Sequence, residues 1–537
     1  MRRWNGWGDE TTHYHLPETS FQYLVERVGD ATGYPDATLE DALEAVPSSR
    51  LPAHPLIKTE AIDRLNHARG QSLPDWLELR SGPIQTYPDG VAYPTSDSQV
   101  QELLRFASQK GFHLIPYGGG TSVVGHINPL KGETPVLTVD MSRFNSLLEL
   151  DETSRLATFG AGVCGPDLEK QLNERGYTLG HFPQSFELST LGGWIATRSS
   201  GQQSYYYGRI EDLFAGGHVE TPLGPLDLLP VPASAAGPDL RQVLLGSEGR
   251  LGLITRATVR IRPQPEVEAF YGVFFHDWPS GVEAVRQIAQ ARLPISMARL
   301  SNAQETDTTL ALAGKDNLIL WAKRGLNLLR YGDERCLLVF GITGEARLAR
   351  LARQQVMEIA RQHGGLFTGT MIGKTWRKSR FLTPYLRNTL WERGYTIDTL
   401  ETAVPWIQTL PAAQDIQQAI HDAMRPYGER VLVFAHLSHV YRDGASVYVT
   451  YIFRRTADPE QTLRRWQDMK HAASQAIIAH GGTISHQHGV GLDHAPYLLA
   501  EKGEVGATLL HGAVHTLDPQ KLLNPGKLIE EARDVAE

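Results

Sequence analysis

The stretch that decides the fold is a glycine loop that follows a short apolar run and reads Pro116-Tyr117-Gly118-Gly119-Gly120-Thr121-Ser122. Consecutive glycines leave backbone N–H groups without side chains in front of them, and the hydroxyls of Thr121 and Ser122 add donors. Such a loop can bind a diphosphate group. It has neither the G-x-G-x-x-G spacing of a Rossmann site nor the G-K-[ST] ending of a P-loop. A tight turn without a ligand is the alternative.

Two further segments rich in glycine and serine follow, at 183–201 and 246–255. Small residues recur in them at almost every second or third position, which lets a large flat ligand lie against the backbone. Each segment taken alone is explained equally well as an ordinary loop without a ligand. Three of them in one stretch of chain predict a module that wraps closely around its ligand.

The residues around these loops show alternating helix and strand patterns. Ser96 can cap a helix whose apolar face is Val100, Leu103, Leu104 and Ala107. Strands are predicted at 113–117, 136–140, 147–151, 155–159 and 252–261. The patterns together predict an α+β module over residues 89–265.

The rest of the chain divides into three segments. Residues 1–88 predict a helical arm, 266–460 a second domain, and 461–537 a segment that returns to the first module. The second domain is predicted to have an antiparallel sheet, because strands at 268–275, 336–342 and 446–453 alternate with helices at 281–291 and 345–363. The expected fold class is therefore α+β, with two domains.

Composition excludes several classes of protein. The chain of 537 residues is 41% hydrophobic and 21% charged, which is typical of a folded protein. Its net charge of −8 argues against nucleic acid as the main partner. Two cysteines exclude a disulfide framework, and no run approaches the ~18 apolar residues of a transmembrane helix. We expect a cytoplasmic protein.

The three loops, in this order, resemble the FAD-binding domain of the vanillyl-alcohol oxidase/p-cresol methylhydroxylase superfamily. There a P-x-G-G-G-T-S loop holds the FAD diphosphate, and G-S-E-G-x-L-G-x-I-T ends the domain. The tail 518–527 resembles the closing motif of the superfamily. The resemblance implies FAD contacts at Pro116, Tyr117, Gly118, Gly119, Gly120, Thr121, Ser122, Gln184, Ser185, Phe186, Glu187, Leu188, Ser189, Thr190, Thr197, Arg198, Ser199, Ser200, Glu248, Gly249, Arg250, Leu251, Gly252, Leu253 and Ile254.

Some members of the superfamily attach FAD covalently through His or Cys. His126 and Cys164 are the candidates in this chain. Packing or exposure to solvent explains both residues more simply, so we expect non-covalent FAD.

Finer motifs over nearly the whole chain resemble the alkyldihydroxyacetonephosphate synthase branch. They lie at 3–8, 299–302, 385–387, 401–406, 443–448 and 481–491. In that branch FAD works without net redox while a long-chain alcohol replaces an acyl group. The sister branch, the 2-hydroxyacid dehydrogenases, carries H-x-G-D-G-N-x-H and G-E-H-G, and several of its members bind a divalent metal through two His and one Glu.

This chain lacks most of that metal set. His439 matches the first His, but Tyr448 stands at the second position and Gln487 at the Glu position. Phenol and neutral amide are poor ligands for a hard dication, so we expect no metal. His436, His439, His486 and His488 could still form a transition-metal cluster, although structural or acid–base roles are simpler.

Gln487 is also a departure from the synthase branch, which carries three consecutive His where this chain has His486-Gln487-His488. The middle His is an acid/base there, and an amide cannot exchange a proton near neutral pH. Either His486 or His488 takes over, or the chemistry differs. In an extended segment His486 and His488 would share one face and Gln487 the other.

Five residues are candidates for catalysis. Tyr448 would move a proton at the flavin face, with its pKa lowered by His486, His488 and Arg387. Arg387 would bind an anionic part of the substrate, because a guanidinium pairs with phosphate or carboxylate through two parallel hydrogen bonds. Arg299 would lie beside the flavin and stabilise negative charge on it, and His488 would lie near flavin N5. A core tyrosine, a core histidine and surface ion pairs are the plain alternatives.

These observations lead to three functional hypotheses. The main one is an FAD-dependent oxidoreductase that acts on a small hydroxylated, anionic substrate. The alternative is an alkyldihydroxyacetonephosphate synthase, which is a transferase of ether-lipid synthesis. The third is a flavin-binding protein with a degenerate site.

Partners follow from the same features. We expect an anionic small-molecule substrate and no nucleic acid. Trp4 and Trp7 would pack an N-terminal arm onto the body or onto the partner subunit of a homodimer; a peripheral membrane contact is the other role for them. Apolar residues in 301–330 could border a path for a lipid chain, or form a core helix and strand.

Overall fold

A computed structural model describes residues 2–312 and 325–529 of the chain. Part of the segment 301–330, named above as a lipid path, lies outside the described residues. The strands of the first module are β1 (Ile57–Lys58), β2 (Gly90–Ala92), β3 (His113–Tyr117), β4 (Val136–Asp140), β5 (Leu147–Asp151), β6 (Leu156–Gly160), β7 (Tyr177–Thr178), β8 (Phe214–Thr221), β9 (Gly224–Leu228), β10 (Leu253–Arg260) and β11 (Arg262–Pro263). Those of the second domain are β12 (Val267–Phe275), β13 (Met297–Ser301), β14 (Cys336–Gly344), β15 (Leu366–Phe367), β16 (Tyr395–Pro405), β17 (Leu432–Val440) and β18 (Gly444–Arg454).

Helices surround these strands. They span Glu18–Val28, Leu39–Glu44, Ala61–Asn66, Leu73–Ser81, Asp97–Lys110, Gly165–Asn173, Leu191–Thr197, Ser204–Tyr207, Ile210–Leu213, Leu240–Leu244, Trp278–Gln290, Ala303–Leu312, Ala346–Gln362, Met371–Ser379, Thr383–Glu392, Trp406–Met424, Pro459–Ala479 and Leu498–Leu517. Within the described residues, no helix combines the length and the apolar character needed to span a membrane.

The first module holds the glycine loop on a small four-stranded sheet of order β1-β2-β4-β3, in which β2, β4 and β3 run parallel. The predicted helix packs on this sheet. Its N-cap is Ser96, whose hydroxyl accepts from the N–H of Gln99, and it buries Val100, Leu103, Leu104 and Ala107. The cap and the apolar face predicted from the sequence are confirmed, and the loop leaves the carboxyl end of β3.

A second sheet of the same module has the order β5-β6-β10-β8-β9 and is antiparallel throughout. The predicted hairpin at 147–151 and 155–159 is its β5–β6 pair. Strand β10 continues from the third glycine-rich segment, so this sheet positions that segment beside the glycine loop.

The second domain is one antiparallel sheet of order β15-β12-β14-β13-β17-β18-β16. Its strands and the helices Trp278–Gln290, Ala346–Gln362, Trp406–Met424 and Pro459–Ala479 form the largest apolar core. The predicted α+β fold with two domains is confirmed.

The last described residues return to the first module. Leu523 forms a parallel bridge with Leu114 of β3, and the Asn524 N–H donates to the Leu114 carbonyl at 2.8 Å. The tail therefore lies beside the strand that carries the glycine loop.

Candidate active site

A cavity of ≈ 310 Å³ lies between the first module and the sheet of the second domain. The glycine loop and the two other small-residue segments form one side of it. Tyr448 of β18, Asp398 and Thr399 of β16, and the residues Gln487 and His488 form the other side. We call these the glycine side and the cap side.

The glycine side is held together by contacts between backbones. A Cβ added to Gly119 would lie 1.8 Å from the Leu188 carbonyl oxygen, and one on Gly118 would lie 2.3 Å from Thr190 Oγ1. Gly120 has φ +64°, a conformation that favours glycine. The loop therefore needs glycine because the segment 184–190 packs directly on it.

Most of the predicted FAD contacts line the cavity. These are Pro116, Tyr117, Gly118, Gly119, Gly120, Thr121, Ser122, Gln184, Ser185, Ser189, Thr190, Thr197, Ser199, Ser200, Glu248, Gly249, Gly252 and Ile254. The others do not line it: Phe186, Glu187, Leu188, Arg198, Arg250, Leu251 and Leu253. Several of these connect segments of the fold, since Phe186 stacks on Phe381 at 5.1 Å and Arg250 donates to the Asn524 carbonyl at 3.0 Å.

Glu248 joins three parts of the chain at the cavity. Its carboxylate accepts from the backbone N–H groups of Val490 (2.5 Å) and Gly491 (2.8 Å). The same carboxylate lies 3.1 Å from His126 Nε2. Glu248 of the third segment thus holds the loop after His488 against the glycine side.

Tyr448 occupies the centre of the cap side. Its ring stacks on His436 with 4.8 Å between centroids, and the ring of His488 meets it edge-on at 5.8 Å. Burial raises the pKa of Tyr448 above its usual range, and the cations expected to lower it do not offset that effect. Burial also lowers the pKa of His488. The site therefore pairs a neutral phenol with a neutral imidazole.

The expectation that His486 and His488 share one face of an extended segment, with Gln487 on the other, is wrong. Residues 486–488 form a bend rather than an extended strand, so neighbouring side chains do not alternate between two faces. Gln487 and His488 both line the cavity, whereas His486 does not. The amide thus faces the cavity beside the remaining histidine.

The His486 ring lies between the Arg209 guanidinium and the Glu401 carboxylate. Arg209 Nη1 lies 2.7 Å from His486 Nε2 and Nη2 donates to the His486 carbonyl at 3.0 Å, while Nδ1 lies 3.2 Å from Glu401 Oε1. A guanidinium only donates, so Nε2 accepts and the ring proton is on Nδ1, facing Glu401. Burial alone would raise the pKa of Glu401, but His486 outweighs it and holds this pKa well below the usual range.

Glu401, His439 and His486 also have the spacing of a metal cluster, with one ligand atom from each within 4.8 Å of the others. The donor geometry does not suit a metal there. A metal on Nδ1 of His486 would put a proton on Nε2, facing the Arg209 guanidinium. The arrangement fits a hydrogen-bonded support for the loop that carries Gln487 and His488.

Arg299 lies on β13 behind the cap side and does not line the cavity. Its Nη2 donates to Glu305 Oε1 at 2.7 Å, and the same carboxylate oxygen is 3.0 Å from His436 Nδ1. Burial would raise the pKa of Glu305, but Arg299 and His436 outweigh it and lower the pKa to about 2. Arg299 and His436 thus share one carboxylate behind Tyr448.

Arg387 lines the cavity from the helix Thr383–Glu392. Its Nη1 donates to the Gln71 carbonyl at 2.6 Å, and the guanidinium lies 4.3 Å from the centre of the Trp76 ring. Burial lowers its pKa, yet a guanidinium stays charged at neutral pH. The position suits an anionic group of a ligand in the cavity.

The cavity lining also includes residues that were not among the predicted site residues, such as Trp7, Asp398, Thr399 and Asn524. Asn524 stands in the tail motif Asn-Pro-Gly, which was quoted for its resemblance and was a usable signal. Nothing in the sequence marks Asp398 or Thr399, because their place depends on how β16 pairs with β18.

The residues present fit FAD. Backbone N–H groups and hydroxyls line the glycine side, as binding of a diphosphate requires. The buried Oδ1 of Asn524 has no hydrogen-bond partner among the described residues and lies in the cavity wall, where a ligand can donate to it. Small side chains at Ser185, Ser189 and Thr190 leave room for a flat ring system. This fold and site define a flavoprotein of the FAD-linked oxidase type.

Comparisons with known proteins agree. Residues 88–226 match the family described as FAD binding domain, and residues 264–528 match FAD linked oxidases, C-terminal domain. The alkyldihydroxyacetonephosphate synthase of Dictyostelium discoideum is 32% identical over 535 residues, covering 98% of this chain and 86% of that protein. The chain belongs to the FAD-linked oxidase family, in its alkyldihydroxyacetonephosphate synthase branch.

Solved structures give the same result. A structure of alkyldihydroxyacetonephosphate synthase superposes with a TM-score of 0.85 at 28% identity, covering 98% of this chain and 99% of the other. p-Cresol methylhydroxylase, at 14% identity and a TM-score of 0.65, covers 95% of this chain and 97% of the other, and shares the fold. FAD is thus the cofactor and is bound non-covalently. The matches favour the transferase alternative over the oxidoreductase hypothesis.

Proposed function

We propose that this protein is an alkyldihydroxyacetonephosphate synthase. It exchanges the acyl group of an acyl ester of dihydroxyacetone phosphate for a long-chain alcohol. The bond breaks between the ester oxygen and the carbon of dihydroxyacetone phosphate that carries it, and a new C–O bond forms between that carbon and the alcohol oxygen. A fatty acid leaves as its carboxylate, the alcohol gives up one proton, and no net oxidation occurs.

One observation carries the proposal. The two positions where the hydroxyacid branch needs His and Glu for its metal are Tyr448 and Gln487, and both side chains line the same cavity wall. A phenol and an amide there favour chemistry without a hard metal ion. The full-length similarity to synthases supports the same activity.

Polar side chains of the cavity have proposed roles in the reaction. Arg387 would bind the phosphate of the substrate with the N–H groups that Gln71 does not use. Neutral His488 would accept the alcohol proton, and neutral Tyr448 would donate its proton or a hydrogen bond to the substrate. Gln487 would orient a polar group by hydrogen bonding alone. Bound FAD supplies an isoalloxazine ring that can donate and accept electron pairs.

The test uses purified holoenzyme, acyl dihydroxyacetone phosphate and radiolabelled hexadecanol. We expect the label in an ether-linked product, release of an equal amount of fatty acid, and a flavin absorbance spectrum that is unchanged after turnover. Absence of an ether product would overturn the proposal.

A second candidate is an oxidoreductase for a small hydroxylated anion. The observation that favours it is Gln487, which faces the cavity where the synthase branch has its acid/base histidine. Here the hydroxyl proton would pass to His488, whose imidazole is neutral. Anaerobic bleaching of the flavin by a hydroxy acid or a polyol phosphate, without ether formation, would select this activity.

A further inference from the structure

The first described residues of the chain form a small hairpin, residues 2–9, which we call the N-terminal arm. Arg2 and Asp9 form an antiparallel bridge, and the Arg3 N–H donates to the Gly8 carbonyl at 2.9 Å. The arm lies against the glycine side of the cavity, far along the chain from the residues it contacts.

The arm is fixed by partners from both domains. Asn388 exchanges two hydrogen bonds with the Trp7 backbone, at 3.0 and 3.3 Å. Arg80 Nε donates to the Asn5 carbonyl at 2.7 Å. A Cβ on Gly8, which has φ +78°, would lie 2.1 Å from the Tyr385 ring. These contacts of residues 5–8 therefore hold the arm in one position on the rest of the protein.

Two side chains of the arm contact this region: Trp7 lines the cavity, and Arg2, which does not line it, contacts the glycine loop. Trp7 is buried, with 4% of its surface exposed, and lines the cavity. Arg2 is exposed, but its Nη2 donates to the Gly119 carbonyl at 2.6 Å. The guanidinium is thus in direct contact with the middle residue of the glycine loop.

The positive charge of Arg2 is the feature of this contact that bears on FAD binding. The diphosphate of FAD brings two negative charges into the cavity. Among the described residues that line the cavity there is no lysine, and Arg387 is the single arginine. Backbone N–H groups offset part of the diphosphate charge, and Arg2 places a full positive charge on the loop itself.

We propose that the N-terminal arm is part of the FAD site, with Arg2 as the counter-charge of the diphosphate and Trp7 as a wall of the cleft. The arm then sets how slowly FAD dissociates. This inference needs FAD as the cofactor but holds for either reaction considered above, so it can fail without the proposed function failing.

The test measures FAD dissociation from holoenzyme, by the recovery of flavin fluorescence after dilution. Arg2→Ala should release FAD about tenfold faster than the unaltered protein, because a charge-assisted contact is lost. Arg3→Ala is the matched control, since Arg3 Nε donates to the Asp9 carbonyl within the arm and not to the loop. Its release rate should stay unchanged.

Salt and thermal stability give two further readouts. Higher ionic strength should speed release from the unaltered protein and narrow its difference from Arg2→Ala. FAD should raise the melting temperature of Arg2→Ala less than that of Arg3→Ala, while the two apo-proteins melt together. Equal release rates for Arg2→Ala and Arg3→Ala would overturn the proposal. Arg2→Ala should fold normally, because Arg2 is exposed and its replacement leaves the core intact.

Discussion

The two sides of the cavity are built by different means. The glycine side is made of backbone and small side chains whose positions follow from direct contacts between segments, such as Gly119 against Leu188. The cap side is made of large polar side chains, and their positions depend on strand pairing and on one bend at 486–488. A backbone-built site tolerates almost no added atoms, whereas a side-chain-built site can change its chemistry residue by residue.

The largest effect is expected on the glycine side. Gly119→Ala would force a Cβ to within 1.8 Å of the Leu188 carbonyl, so the loop must move and FAD affinity should fall at least about a hundredfold. Fluorescence titration with FAD measures this. Gly132→Ala is the control, since nothing lies within 4 Å of its added Cβ. Equal FAD affinities in the two variants would contradict a loop held by packing.

The glycine side could be predicted from the sequence because it is made of backbone and small side chains. Consecutive glycines and small residues are visible as letters, and the helix capped by Ser96 and strand β3 that present them have local signals. Phe186 and Arg250 were predicted as FAD contacts and do not line the cavity, because a motif does not show which of its side chains turn toward the core.

The cap side was predicted less well. Tyr448 and His488 were expected at the cavity and line it, but Arg299 lies one residue layer behind, paired with Glu305. The alternation expected for 486–488 failed because the segment bends. Arg209, which fixes His486 from 277 positions away, has no local signal in the sequence at all.

On the cap side the largest effect is expected from Tyr448→Phe. Loss of the phenol hydroxyl should lower kcat by about 10²–10⁴, as is usual for a positioned acid or base, while FAD stays bound. Steady-state kinetics with flavin content per chain measures both. Tyr395→Phe is the control, because its buried hydroxyl only donates to the Gly29 carbonyl. A Tyr448→Phe enzyme with full activity would remove the phenol from the mechanism.

Arg387→Ala should act on the substrate and spare the cofactor. We expect KM for the phosphate-bearing substrate to rise about 10–100-fold, since a charge-assisted pair is lost, with little change in FAD retention. Arg393→Ala is a matched control just beyond the same helix, with its guanidinium over Phe21. Loss of FAD instead of substrate affinity would show that Arg387 belongs to the glycine side.

The smallest effect is a pH dependence of stability. Burial raises the pKa of Asp493 to about 7, and its buried Oδ2 has no hydrogen-bond partner among the described residues. The folded carboxyl keeps its proton up to about pH 7, whereas the carboxyl of the unfolded chain loses it near pH 4. Between these two pH values the folded state therefore binds more protons, and the free energy of unfolding falls as pH rises. Asp493→Asn should remove about 2–4 kcal/mol of that pH dependence.

Urea unfolding at pH 5 and pH 8 measures the effect. Relative to the unaltered protein, Asp493→Asn should gain stability at pH 8 and not at pH 5. The exposed Asp333→Asn serves as control. A parallel pH profile for all three proteins would mean that Asp493 titrates normally.

The cleft draws its walls from widely separated parts of the chain, with Trp7 at one extreme and Asn524 at the other. Asn524 follows every other cavity residue in the chain, so during synthesis the first module lacks the bridge from Leu523 to β3 and the hydrogen bond from Asn524 to the Glu248 carbonyl until the tail emerges. We expect a chain cut before residue 518 to bind FAD more weakly than the unaltered chain, even if its sheets form.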